Sequence, residues 1–178
     1  MKKNKESAII KFNNGNLALL CSKCRRIIKV GSEFNEEEKA FHQGKHYLDS
    51  QYCTRCIENK ENDIYVFGSN TEGKHGKGSA KFALLHRGAV YGQYKGLQVN
   101  SYAIITKDLK KGSRSVSLES IKEQVDELIL FAQNNPKLTF EISAIGCGLA
   151  GFNATEIAPM FSNIPSNMKL NYVFQDYV

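Results

Sequence analysis

The sequence predicts an α/β fold with a mostly parallel sheet, preceded by a small module organised around cysteine pairs. Three observations lead there. Four of the five cysteines fall in two C-x-x-C pairs ahead of Ile57. From Ile64 onward, continuous apolar runs alternate with segments of helical periodicity, the pattern of strands buried on both faces and joined by crossover helices. Glycine-rich stretches follow the first and third of those runs.

At 178 residues the chain has room for one ordinary domain plus a small module. Apolar residues at 42% and charged residues at 24% fit a water-exposed globular surface around one core. No apolar run approaches the ~20 residues that span a bilayer. The opening "MKKNKESAIIKF" is basic, but its apolar stretch is short and no cleavage site follows, so a cytoplasmic protein is expected. The formal charge is +6. Residues 1–62 carry 12 Lys/Arg against 8 Asp/Glu and residues 63–178 carry 12 against 10, an excess of +4 versus +2. This suits nucleic acid or another phosphate-bearing partner, and equally a solvated basic surface.

The first module is expected over residues 1–60. "SAIIKF" and "LALLC" flank an Asn/Gly turn and read as a hairpin, with "RRIIKV" as the strand that leaves the first pair. The insert "GSEFNEEEKAFHQGKHYLDSQ" predicts a short helix and a loop. Cys21 and Cys24 on one turn, with Cys53 and Cys56 on another, match a tetrahedral structural zinc site, because each turn offers two thiolates to one ion. Cytosolic disulfides are rare, which argues against pairing them oxidatively. Four thiolates close the coordination sphere and leave no position for a reacting water. Such a zinc would hold together a module that lacks a core of its own. His42 and His46 have metal-compatible spacing but are surplus to that set. Arg25, Arg26, Lys29 and Arg55 cluster near the turns, where a zinc module contacts nucleic acid or protein. The polar run "IENKEND" reads as a linker.

The second domain is expected over residues 63–178. "IYVFGS" (64–69) is a buried strand, "GKGSAKFALLHRG" (76–88) a helix with a glycine-rich first turn, and "SYAIITK" (101–107) a second buried strand. A helix follows to Asn134, N-capped by Ser117, with Leu118, Ile121, Val125, Leu128, Ile129 and Ala132 on one face. "LTFEISAIG" (138–146) predicts a third strand, residues 154–162 a short helix, and "KLNYVF" (169–174) a last strand. Ligands of such sheets bind beyond the carboxyl ends of the strands. "GSNTEGKHGKGSA", "TKD" and "GCGLAGF" all fall at that edge. Glycines there let backbone N–H groups approach an anion, so a phosphorylated ligand is expected.

On those residues the chain resembles the macrodomain family, which binds ADP-ribose and related nucleotides and has a three-layer α/β fold. "NDIYVFGSN" is similar to the family's strand ending in an asparagine, here Asn70, and "HGKGSAKFAL" to its glycine-rich loop opening a helix. "GLAGF" matches its diphosphate loop. The resemblance implies that Gly146, Cys147, Gly148, Leu149, Ala150 and Gly151 surround the diphosphate and that Phe152 faces the distal ribose. It implies that Asn70, Gly76 and Gly78 line that ribose from the other side. "ITK" and "IGCGL" look like the subgroup that removes terminal ADP-ribose from protein carboxylates, in which the lysine, here Lys107, attacks the ribose. That subgroup has an acidic residue where this chain has Ala150; Asp108, beside Lys107, is the carboxylate at hand. The family's upstream adenine-binding aspartate has no counterpart. The compact form seen in small macro-like proteins of tailed phages looks nearest, which implies a counter-defence role in a host cytoplasm.

Individual residues read in two ways. Lys107 is a solvent-seeking lysine at a strand end or a nucleophile, and His75 a loop histidine or a proton shuttle at the ribose. Cys147 is a packing residue or, at a helix N-terminus, a thiol of lowered pKa. Lys110, Lys111 and Arg114 form a basic loop that is solvated or steers an anion. The functions expected are capture or hydrolysis of an ADP-ribose-type nucleotide. The alternative is a zinc-ribbon accessory protein that binds nucleic acid, with the α/β domain as scaffold.

Overall fold

The computed structural model describes residues 9–12, 14–21, 26–43, 54 and 62–178. The chain divides into two compact units, Met1–Glu58 and Asn59–Val178.

In the first unit, β1 (Ile9–Lys11), β2 (Leu17–Leu20) and β3 (Ile27–Val30) form an antiparallel sheet. Gly15 takes φ +84° at the first turn, where the Phe12 N–H bonds the Asn16 carbonyl at 2.8 Å. A 3-10 turn, Gly31–Glu33, leads to α1 (Glu36–His42). Asn35 caps α1 reciprocally: its Oδ1 accepts from the Glu38 N–H, and Glu38 Oε2 accepts from the Asn35 N–H. Ile9, Leu19 and Phe34 are the buried core, a small one.

The second unit is an α/β layer structure with helices on both faces of a five-stranded sheet. Its elements are β4 (Asp63–Asn70), α2 (Gly78–His86), β5 (Gly96–Gln98), β6 (Ser101–Lys107), α3 (Leu118–Asn134), β7 (Thr139–Ile142), α4 (Ala154–Ile157), a 3-10 turn Ala158–Phe161, β8 (Met168–Lys169) and α5 (Tyr172–Gln175). The strand order is β5-β6-β4-β7-β8, all parallel except β5, which runs against β6. The chain therefore steps from β4 to β6 on one side, then crosses to β7 on the other. Ligands of open α/β sheets bind at such a reversal, beyond the carboxyl ends of the strands.

Period-two alternation assigns the faces. Ile64 and Val66 of β4, with Tyr102, Ile104, Phe140 and Ile142, pack under Ile121, Val125, Leu128 and Ala132 of α3 and Ile157 of α4. Tyr65 and Phe67 point the other way: Tyr65 meets Phe82 of α2 edge-on at 4.9 Å, and Phe67 meets the His75 ring at 5.1 Å. Ser117 caps α3 through its hydroxyl, which accepts from the Ser120 N–H at 3.1 Å. Gln124 of α3 closes the exposed side of β6, accepting from the Ile105 N–H at 2.8 Å and donating to its carbonyl at 3.1 Å.

Three elements differ from the sequence reading. The third strand stops at Ile142 rather than Gly146, because Gly146 turns the chain with φ +75°. Of the run 169–174 only Lys169 lies in a strand, the two-residue β8; Asn171 then accepts from the Val173 N–H at 3.0 Å and starts a helical turn through Tyr172–Gln175. The edge strand β5 has no counterpart in the reading.

Candidate site at the carboxyl edge of the sheet

Three segments meet where β4 and β6 end. Gly68 lies at their closest approach: a Cβ there would stand 3.0 Å from Thr106 Oγ1 and 3.5 Å from the Gly146 nitrogen. A side chain there would need Thr106 to give way by a few tenths of an ångström. Asn70 pairs with Lys107 across a shifted register, and the Thr71 N–H bonds the Lys107 carbonyl at 3.0 Å. The Lys107 ammonium has no ion-pair or hydrogen-bond partner among the described residues.

The loop from Gly146 to Phe152 is tied from within. The Cys147 N–H bonds the Ala144 carbonyl (3.2 Å), the Gly151 N–H the Gly148 carbonyl (3.0 Å), and the Phe152 N–H the Gly146 carbonyl (3.0 Å). That leaves the N–H groups of Gly148, Leu149 and Ala150 in succession without a partner among the described residues. Gly148 and Leu149 are exposed, and a Cβ on Gly148 would meet nothing within 4 Å. Consecutive unpaired amides on a tight turn form a concave donor set for an anion.

A second loop holds this turn from outside. The Arg114 N–H bonds the Ala150 carbonyl at 2.7 Å, and its guanidinium reaches the Gly151 carbonyl at 3.4 Å. The same guanidinium makes a two-pronged pair with Glu156 (2.9 and 2.7 Å) and lies 4.8 Å over the Phe152 ring. Arg114 itself sits at φ +52°, the left-handed region costly for a side chain. Hydrogen bonding from Arg114 holds the Glu156 carboxyl down at about 2. Glu156 is also the third residue of the α4 capping box, its carboxylate taking the Asn153 N–H at 2.9 Å.

The other predicted residues have definite places. Asn70 Oδ1 accepts from the N–H groups of Glu72 (3.2 Å) and Lys74 (3.1 Å), and Nδ2 donates to the Lys74 carbonyl at 2.7 Å. Its side chain shapes the loop after β4. His75 is fully enclosed, with Nε2 3.1 Å from the Val90 carbonyl and 3.2 Å from that of Gln93. Nε2 therefore carries the proton and Nδ1 has no partner. Burial lowers the His75 pKa, so the ring is a neutral strut between two loops. Asp108 accepts from the Lys110 N–H at 2.9 Å and lies 3.6 Å from the Lys111 ammonium, closing its own turn. Gly76 and Gly78 have open space at their Cβ positions, Gly78 at φ +58°. Phe152 is buried in the core, so its ring presents its outer face to Arg114. Burial and the Glu156 carboxylate push the Cys147 thiol up to about 12, the reverse of the activation a helix N-terminus would give.

Nothing matches this chain among protein-family models, curated proteins or solved structures.

Sequence reading passed over Glu156, although "NATE" carries a capping-box pattern, and it gave Arg114 no specific partner. Of the four module thiols only Cys21 is among the described residues. It is buried at the end of β2, and its N–H bonds the Arg26 carbonyl at 2.8 Å, tying the ends of the first knuckle together. Cys24, Cys53, Cys56 and His46 lie outside the described residues, and His42 is exposed at the end of α1. Among the described residues no three His, Cys, Asp or Glu side chains gather around a common point. No described helix is long and apolar enough to cross a membrane.

Proposed function

We propose that the second unit is a macro-like domain that captures ADP-ribose or a related NAD-derived nucleotide at the carboxyl edge of its sheet. The supporting observation is the run of unpaired N–H groups at Gly148, Leu149 and Ala150, on a turn whose Gly148 and Leu149 are exposed and that Arg114 holds in place. Main-chain donors of this kind suit a diphosphate, which needs several hydrogen bonds and little side-chain bulk. Capture is favoured over hydrolysis because the carboxylate the lysine mechanism calls for is Ala150, and Asp108 is occupied within its own turn.

Calorimetry with ADP-ribose tests this directly. Saturable binding by the full chain is expected, weakened about tenfold or more by Gly148→Ala, since one lost or displaced charge-assisted hydrogen bond is worth that much. No binding heat, or equal affinity in the variant, overturns the reading. Lys107→Ala decides between capture and turnover: ADP-ribose release from a modified protein that disappears in this variant assigns hydrolysis.

The first unit completes the proposal as a zinc module, in which Cys21, Cys24, Cys53 and Cys56 supply four thiolates and the ion supplies cross-linking that the small core does not. One equivalent of zinc in the purified chain, lost with Cys21→Ser, is the expected result.

A further inference from the structure

A second cleft lies away from the glycine loop, at the outer edge of the sheet. It is an open depression of about 780 Å³ lined by residues 90–96, Tyr102 and Glu127. Clefts of about 300–1,000 Å³ hold small organic ligands. One wall is the loop before β5, the other is α3, and Tyr102 of β6 is the floor.

The floor carries a polar group without a partner. Tyr102 is more than nine-tenths buried, at 8% exposure, and its ring lies against Phe131 at 5.8 Å. Its hydroxyl has no hydrogen-bond partner among the described residues, yet it is not sealed in. One helical turn before Phe131 stands Glu127, whose carboxylate is held by the Lys95 ammonium at 2.7 Å. That contact uses one oxygen and leaves lone pairs directed elsewhere. The floor and far wall therefore offer a donor beside an acceptor.

The near wall offers flat aromatic faces on a fixed frame. Tyr91 is 62% exposed and Tyr94 50%. Gln98, itself buried, holds the loop at two points: its Oε1 accepts from the Val90 N–H at 2.6 Å, and its Nε2 donates to the Gln93 carbonyl at 2.9 Å. The Gly92 N–H bonds the Gly73 carbonyl at 2.9 Å, so close that a Cβ on Gly73 would lie 2.5 Å from the Gly92 carbonyl carbon. The backbone that carries the two rings is set before any ligand arrives.

We infer that this cleft is a separate binding site for a nucleobase whose edge sets a hydrogen-bond acceptor beside a donor, as adenine does with its ring nitrogen and exocyclic amine. The Tyr102 hydroxyl donates to the ring nitrogen, the Glu127 carboxylate accepts from the amine, and Tyr91 or Tyr94 stacks on the face of the base. Other bases present the same order through a carbonyl and the adjacent ring N–H, so the two groups require a donor next to an acceptor rather than one base. The base comes from a free nucleoside or from a single strand, and the chemistry is shared.

An NMR titration of the isotope-labelled full chain with adenosine, 6-(dimethylamino)purine riboside and a short oligo(dA) tests the assignment. Adenosine is expected to shift the signals of residues 90–96 and Glu127 saturably, with the dimethylated analogue, which has no amine hydrogen to donate, markedly weaker. Tyr102→Phe keeps the ring on Phe131 and removes one hydrogen bond, so adenosine affinity should fall about three- to tenfold. Glu127→Gln should narrow the gap between adenosine and the dimethylated analogue. Gly148→Ala, which impairs the diphosphate loop, should leave adenosine binding unchanged, so failure of one site is distinguishable from failure of the other. Binding to oligo(dA) that exceeds adenosine and falls steeply with salt assigns the site to a strand; binding no tighter than adenosine assigns it to a free nucleoside. Absence of shifts at these residues, equal affinity for the dimethylated analogue, or indifference to both Tyr102→Phe and Glu127→Gln overturns the inference.

Discussion

Two glycines in the loop between β7 and α4 should respond oppositely to the same substitution. Gly151 sits at φ +83°, and a Cβ there would stand 3.2 Å from the Ser113 Cβ and 3.6 Å from the Arg114 Cγ. Gly151→Ala therefore costs about 1–2 kcal/mol for the left-handed backbone alone. The crowding adds to this unless the 113–114 segment yields. In a unit of this size that lowers Tm by roughly 4–10 °C. Gly148 is at an ordinary φ with open space at its Cβ, so Gly148→Ala should leave Tm within about 2 °C, or raise it slightly by stiffening the unfolded chain. The assay is thermal or urea unfolding of the full chain followed by far-UV circular dichroism, whose helical signal comes chiefly from α2 and α3. ADP-ribose affinity should run the other way, with Gly148→Ala the weaker binder at unchanged stability. If both variants lose stability equally, or if Gly151→Ala unfolds like the parent, the division of labour between these glycines is refuted.

Other outcomes follow from the same geometry. Gln124→Leu removes the bonds to both Ile105 backbone groups and should cost about 1–3 kcal/mol in a urea melt; a loss under about 0.5 kcal/mol would mean water replaces it there. His75 has a folded pKa below the 6.5 of the free ring, so the unfolded chain takes up the proton first as pH falls. Stability should be full above about pH 7 and decline toward pH 5, by at most about 1.4 kcal/mol per pH unit, and that slope should flatten in His75→Gln. Glu156 titrates near 2 in the fold against 4.5 for a free glutamate, so its contribution is present above 4.5 and lost as pH drops through 2. Glu156→Gln should lack that part of the acid transition, read as Tm at pH 6, 4 and 3 (roughly, the window between the two titrations).

What the sequence disclosed, and what it withheld, follows the range of the interaction involved. Strands β4 and β6 and helix α3 are dictated by short-range periodicity and by a cap within three residues of its partner, and all three stand where the pattern puts them. Apolarity marks burial without marking direction, so the sequence reading carries the third strand on to Gly146 and makes the last run a strand although Asn171 caps a helical turn. β5 was illegible because three residues, of which Leu97 faces solvent, show too little alternation. The glycine loop is legible as a loop between strand and helix. Residue identity said nothing of orientation, however: Asn70 turns back on its own loop, and His75 is driven inward against Phe67. Arg114 and Glu156 are 42 positions apart, beyond the reach of any local pattern.

That pair also decides how the loop behaves as a binding surface. Unpaired amides attract an anion strongly only if they already point together, since ordering a mobile turn at the moment of binding consumes much of the gain. Arg114 supplies the order here by five simultaneous contacts: the Ala150 and Gly151 carbonyls, both Glu156 oxygens and the Phe152 ring. Lysine keeps the charge but loses the planar fork and the stacking. Arg114→Lys should therefore speed hydrogen exchange across residues 148–152 and weaken ADP-ribose by about five- to tenfold, while net charge and long-range steering stay the same. If affinity fell without faster exchange, the guanidinium would be touching the ligand itself. If exchange rose and affinity held, order in this turn would be irrelevant to binding, and the case for a preformed diphosphate seat would fall with it.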